Sequence, residues 1–202
     1  MAYSIQQTHF IGIPIPDNIA VMLEQCRAWM REQYGCKSGQ TTPLHITLVP
    51  PFHLDKQFAE SDMHSAMNNA VQTWTSRGKQ LMCVINGFGA FSTRTIFAHV
   101  ETASPQLQSD NGNDLPRAKD EWTALRTTVY NALLSTCPGT ARRDARIFTP
   151  HITIANRDIP PAAIPDALTY LDALGVHESF DVRQLTIFAR RGTWIADSVF
   201  AW

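Results

Sequence analysis

A chain of 202 residues with 44% hydrophobic and 17% charged residues has the composition of an ordinary globular protein and enough length for a substantial core. Its net charge of -1 excludes a protein that coats nucleic acid by bulk phosphate neutralisation, but not one that grips a single phosphate in a pocket. Cys26, Cys36, Cys83 and Cys137 are scattered without a Cys-x-x-Cys, Met1 to Phe10 lacks the pattern of a secretory leader, and no apolar stretch reaches membrane-spanning length. The expectation is a cytoplasmic protein with free thiols and no membrane partner.

In chain order, Phe10 to Ile15 is a predicted strand ending at Pro16. Asp17 is placed to cap a helix with Ile19, Met22, Leu23, Cys26 and Met30 on one face, stopped by Gly35. A polar loop, Lys37 to Thr42, leads to His45-Ile46-Thr47-Leu48, which lies between Pro43 and Pro50-Pro51 and reads as a strand. The next helix has the stripe Met63, Met67, Ala70, Val71 and Trp74 and ends at Gly78. Leu81 to Ile85 and Thr95 to Val100 are predicted strands joined through Gly87 and Gly89.

The polar stretch Ala103 to Leu115 reads as a mobile surface loop. A third helix follows from about Pro116 to Leu134, with Trp122, Leu125, Val129 and Leu133 inward. The loop after it, with Pro138 and Gly139, carries the densest positive patch, Arg142, Arg143 and Arg146, suited to guiding an anionic substrate. Then comes His151-Ile152-Thr153-Ile154 after Pro150, a helix with Ile164, Leu168 and Leu171 inward, and two final strands, Phe180 to Ala189 and Thr193 to Trp202.

The His-Ile-Thr tetrapeptide therefore occurs twice. Composition gives roughly 0.1 expected His-apolar-Thr-apolar tetrapeptides, so two in matching contexts require a reason. Alternation along a strand puts His45 and Thr47 on one face, and His151 and Thr153 likewise, with the aliphatic residues opposite. The order helix, histidine strand, helix, two strands also occurs twice, in a first repeat of about 17–101 and a second of about 116–202. A diverged duplication of this kind predicts pseudo-symmetric lobes, with both His-Thr faces lining one central cleft.

Two imidazoles across a cleft suit general acid and general base catalysis on one group between them, because an imidazole titrates near neutrality. Phosphodiester cleavage fits: one histidine takes a proton from the attacking water or hydroxyl, and the other protonates the departing ribose oxygen. Thr47 and Thr153 would donate to the non-bridging phosphate oxygens. This logic requires no metal and no cofactor. Arg157 and Arg94 are candidate phosphate contacts, and Phe52 and Phe91 candidate base-stacking residues. His9, His53, His64, His99 and His177 lack the following threonine and read as surface or strand histidines.

The segments His45 to Phe52 (HITLVPPF) and Phe148 to Arg157 (FTPHITIANR) resemble the motifs of the 2H phosphoesterase superfamily, the 2'-5' RNA ligase-like proteins and cyclic phosphodiesterases. The likeness extends to HFIGIPIPD, to GFGAF and RTIFAHV, and to the duplicated order, so it spans nearly the whole chain as one domain. It implies an α+β bilobal fold of two small antiparallel sheets with helices packed outside. It also implies catalytic His45 and His151, phosphate-binding Thr47 and Thr153, and an RNA end or small nucleotide as substrate. Family activities include opening 2',3'-cyclic phosphates and cleaving 2'-5' linkages, with ligation as the reverse of such cleavage. A complete cleft in one chain needs no partner subunit, so a monomer is expected. Two rival readings stand beside this one: a module that binds a phosphorylated nucleotide or RNA end with little turnover, and a zinc hydrolase, for which no compact ligand motif is present.

Overall fold

The computed structural model describes residues 7–92, 94–102, 119–143 and 147–202; the predicted loop Ala103 to Leu115 and Arg146 lie outside them. The elements run β1 (His9–Pro14), α1 (Asp17–Tyr34), β2 (His45–Phe52), α2 (Glu60–Thr75), β3 (Leu81–Phe91), β4 (Thr95–Thr102), α3 (Lys119–Thr136), β5 (His151–Asn156), α4 (Ile164–Ala173), β6 (His177–Val182), β7 (Gln184–Arg191) and β8 (Thr193–Ala201). The described residues thus make an α+β protein with four α-helices.

The helices form where apolar residues recur at helical spacing. Ile19, Leu23, Cys26 and Met30 of α1 are buried, as are Met63, Met67, Ala70 and Trp74 of α2 and Trp122, Leu125, Val129 and Leu133 of α3. Asp17 is the first helical residue of α1 rather than its cap, where its carboxylate faces the positive end of the helix dipole. Gly35 closes α1 in the left-handed region, φ 70°, and its N–H reaches the Arg31 carbonyl at 2.9 Å.

Two strand boundaries differ from expectation. β3 continues through Gly87 and Gly89 to Phe91, because Gly87 at φ 68° takes up a bulge between Ile85 and Phe88 rather than a turn. The predicted strand Phe180 to Ala189 is two strands broken at Arg183: β6 pairs with β3, and β7 pairs with β1. The apolar phase slips at the break, from Phe180 and Val182 to Leu185 and Ile187, with Arg183 and Gln184 polar in succession.

The strands form one eight-stranded antiparallel sheet in the order β6-β3-β4-β5-β2-β1-β7-β8. The expectation of two small sheets is corrected here. The histidine strands β2 and β5 pair with each other at Ile46 and Ile152, and this bridge makes the sheet continuous. The four strands on either side of it come from both halves of the sequence. β1 and β2 are joined by β7 and β8, and β3, β4 and β5 by β6. The helices cross over too: α1 packs on β5 and α4 on β3, while α3 packs on β2 and β4 and α2 on β8.

Candidate active site

The alternation expected of the two motifs is present. Ile46, Leu48, Ile152 and Ile154 are buried in the main core, while His45, Thr47, His151 and Thr153 are half-buried on the opposite face. Since Ile46 is opposite Ile152 in an antiparallel pair, His45 falls beside Thr153 and Thr47 beside His151. Each histidine thus has the other motif's threonine as its cross-strand neighbour. Neither threonine hydroxyl is bonded to a described residue, so each can turn toward a ligand.

Both imidazoles are held in the same way. His45 Nδ1 lies 2.7 Å from the Pro43 carbonyl, and His151 Nδ1 lies 2.8 Å from the Thr149 carbonyl, each two residues upstream. A carbonyl only accepts, so Nδ1 carries the proton and donates it. In the neutral ring Nε2 then has the free lone pair. Each ring also rests on a pair of stacked phenylalanines. Phe10 and Phe188, 4.4 Å apart, lie 4.4 and 5.3 Å from His45. Phe91 and Phe97, 4.0 Å apart, lie 4.8 and 5.4 Å from His151.

This apolar packing removes water from the rings, and both titrate below the ordinary imidazole range. Burial pushes His45 down to about 4, partly offset by its bond to Pro43, and the charges of Arg27 and of a protonated His151 push it the same way. Burial also lowers His151, against its bond to Thr149. The neutral form is therefore favoured in the folded protein, and the unfolded chain takes up these protons first. Stability should be complete above pH 6.5 and fall as the pH is lowered from 6.5 toward 4. Urea unfolding at pH 7, 5.5 and 4.5 checks this, with a progressively lower midpoint expected.

A pocket of about 460 Å3 opens beside His151 and Thr47, and Phe91, Phe148 and Arg126 also line it. Arg126, on α3, donates from Nε to the Leu48 carbonyl at 3.2 Å, and its guanidinium lies 4.7 Å from the Phe148 ring and 5.2 Å from that of Tyr130. Gly12 on β1 lies opposite Thr47; a Cβ there would come within 2.7 Å of the Ile46 carbonyl oxygen, so a side chain would push β1 off the histidine strand.

The other residues singled out from the sequence are placed less centrally. Arg94 and Arg157 meet through their backbones, Arg157 N–H donating to the Arg94 carbonyl at 2.7 Å, and both side chains are exposed outside the pocket lining. Phe52 is buried, with its ring 6.0 Å from that of His9. Phe91 does line the pocket. His99, read as an ordinary strand histidine, pairs with His151 across β4 and β5 and shares its face. Among the described residues no three His, Cys, Asp or Glu side chains are grouped so as to hold a metal ion.

Arg27 and Arg126 were not singled out, although a signal existed for both. Each sits at helical spacing within an apolar stripe, Arg27 four residues after Leu23 and Arg126 four after Trp122. Arg27 is 3% exposed. It donates from Nε and NH2 to the Thr153 carbonyl at 3.3 and 3.0 Å, and from NH1 to the Thr42 carbonyl at 2.7 Å and to Glu24 at 3.0 Å. One buried cation thus ties the second motif to the loop that delivers the first.

Residues 15–194 match the family model of the 2'-5' RNA ligase superfamily. The chain belongs to this superfamily, that of the 2H phosphoesterases. No curated protein matches it in sequence. Solved structures share the fold. LigT of Escherichia coli complexed with 3'-AMP is 17% identical, with a TM-score of 0.52 over 96% of this chain and 97% of that one. TT0787 of Thermus thermophilus is 14% identical, with a TM-score of 0.55 over 96% and 97%. Usb1 of Kluyveromyces marxianus with uridine monophosphate is 13% identical, with a TM-score of 0.50 over 96% of each chain. No helix among the described residues is long and apolar enough to cross a membrane.

Proposed function

We propose that this 2H family member is a phosphodiesterase that acts on RNA ends carrying a 2',3'-cyclic phosphate, or on 2'-5'-linked nucleotides, with His45 and His151 as its acid and base. The observation that carries this reading is the paired site itself. Two imidazoles, each with Nδ1 pinned to a carbonyl and Nε2 free, alternate with two threonine hydroxyls across one strand pair. The neighbouring pocket offers aromatic rings and a guanidinium, which suit a nucleoside and its phosphate. The nucleotides bound to LigT and Usb1, 3'-AMP and uridine monophosphate, support the same ligand class.

In ring opening, water attacks phosphorus while Nε2 of one histidine takes its proton. The bond to one ribose oxygen breaks, and that oxygen receives a proton from Nε2 of the other histidine, leaving a phosphomonoester. Thr47 and Thr153 donate to the non-bridging oxygens as negative charge grows on them. We assign the base to His45, because the Arg27 charge opposes its protonation, and the acid to His151. Burial keeps both rings neutral in the empty site, so the proton of the acid enters with the anionic substrate. Calorimetry of a nucleoside 3'-phosphate binding at pH 7, in buffers of different ionisation enthalpy, should show net proton uptake. We also read the chain as one domain of two diverged copies acting as a monomer, since one chain supplies both motifs.

The deciding experiment is an EDTA-treated assay on an RNA oligonucleotide ending in a 2',3'-cyclic phosphate. Ring opening by the wild type, and none by His45→Ala or His151→Ala, is expected. Binding of the same RNA with no turnover there or on 2'-5' linkages would overturn the enzyme reading in favour of a binding module.

A further inference from the structure

The pocket beside His151 does not end at Arg126. Arg126 is also part of the wall of a second depression of about 150 Å3, with Thr123, Tyr130 and Arg143. Tyr130 in turn is shared with a third depression of about 250 Å3, which holds Arg142, Thr140 and the exposed Pro50-Pro51. Pro50 belongs to the first and third alike. The three therefore adjoin one another, in a row that runs from His151 along α3 to the loop after it.

The charge along this path is one-sided. Arg126, Arg142 and Arg143 contribute to it, and among the described residues no aspartate or glutamate lines any of the three depressions. In a chain with 18 acidic and 17 basic residues this separation is not a bulk effect. Depressions elsewhere on the described surface include Asp17 and Asp181, or Asp17 and Glu24. Polar groups along the path are held or waiting. Tyr130 donates its hydroxyl to the Arg142 carbonyl at 3.4 Å, Arg143 is bonded to Asn131, and the Thr140 hydroxyl is buried without a partner among the described residues. Arg126, between the Phe148 and Tyr130 rings, is the joint where the catalytic pocket passes into the path.

We propose that these depressions form a track for the single-stranded RNA that leads up to the end held between His45 and His151. Phosphates would follow the arginines, and a base would enter beside Phe148 and Phe91. The track rests on the phosphodiesterase reading for its direction but not for its affinity. It makes the substrate an oligonucleotide rather than a free mononucleotide, because two of the three arginines, Arg142 and Arg143, line the outer depressions and not the first pocket.

The test compares binding in EDTA of a fluorescein-labelled single-stranded RNA decamer with binding of uridine 3'-monophosphate. The variants are Arg142→Ala/Arg143→Ala and, with the same charge change elsewhere, Arg31→Ala/Arg183→Ala. The track predicts a loss of about tenfold in RNA affinity for the first variant only, with the slope of log affinity against log salt reduced by about 1 to 1.5. Mononucleotide affinity should change less than twofold. Equal losses in both variants, a wild type that binds RNA no more tightly than the mononucleotide, or polyglutamate bound as tightly as RNA would each overturn it. RNA binding that depends on Arg142 and Arg143 with no turnover would leave the track standing and remove the enzyme reading. Turnover of a cyclic mononucleotide without preference for RNA would do the reverse.

Discussion

Replacing His151 with alanine should lower the rate of cyclic phosphate opening by about 10^2- to 10^4-fold, the usual worth of a positioned general acid or base. His45→Ala should do the same. In the proposed mechanism the two act on one transition state, so the double variant should lose little more than either single one. Truncation also leaves the Pro43 or Thr149 carbonyl without its donor, which would blur a catalytic loss with a structural one. Asparagine separates the two. Its amide can still donate to the carbonyl two residues upstream, yet it offers no base or acid where Nε2 stood. A His151→Asn variant with wild-type unfolding behaviour and a rate as low as that of His151→Ala would place the loss in the chemistry. A rate near wild type for either histidine variant would refute the assignment.

The largest effect on stability is expected at Arg27. Its guanidinium is buried and serves two main-chain carbonyls, those of Thr153 and Thr42. Arg27→Leu keeps much of the apolar stem but strands both carbonyls away from water, at about 1–3 kcal/mol each. Loss of the buried cation gives some of this back, since its desolvation no longer opposes folding. A net destabilisation of about 3 kcal/mol is expected in urea unfolding monitored by fluorescence. Arg27→Lys should recover only part of it, because an ammonium cannot span two carbonyls with the fixed fork of a guanidinium. A change below about 0.5 kcal/mol for Arg27→Leu would mean that water reaches these carbonyls.

The pairing of each histidine with its threonine was legible because strand chemistry is local. A histidine and a threonine two residues apart must share a face of a strand, whatever the rest of the chain does, and the repeat showed that this was no accident of composition. The supporting groups were not legible in the same way. Phe10, Phe188, Phe91 and Phe97 reach their histidines only through strand order, and nothing in the spacing of residues 10 and 188 says that their strands are neighbours. Arg27 and Arg126 left a mark, an arginine inside each apolar stripe, but its meaning depended on which carbonyl lay opposite. The two-sheet expectation failed at a single bridge, Ile46 to Ile152, and β6 and β7 read as one strand because strand-forming residues lie on both sides of Arg183, although the apolar phase slips there, from Phe180 and Val182 to Leu185 and Ile187.

The pairing of β1 with β7 has a consequence for the order of assembly. His9 is opposite Ala189, so one edge of β1 pairs early with β2 while the other waits for β7, far along the chain. Phe188, on which the His45 ring rests, arrives with it. Such distant closures slow folding, since much loop entropy is lost before the contact forms. During synthesis from the N-terminus, the first histidine motif emerges well before β7 and remains without half of its aromatic support until β7 has left the ribosome. A truncated product would therefore carry both motifs and still lack a finished site.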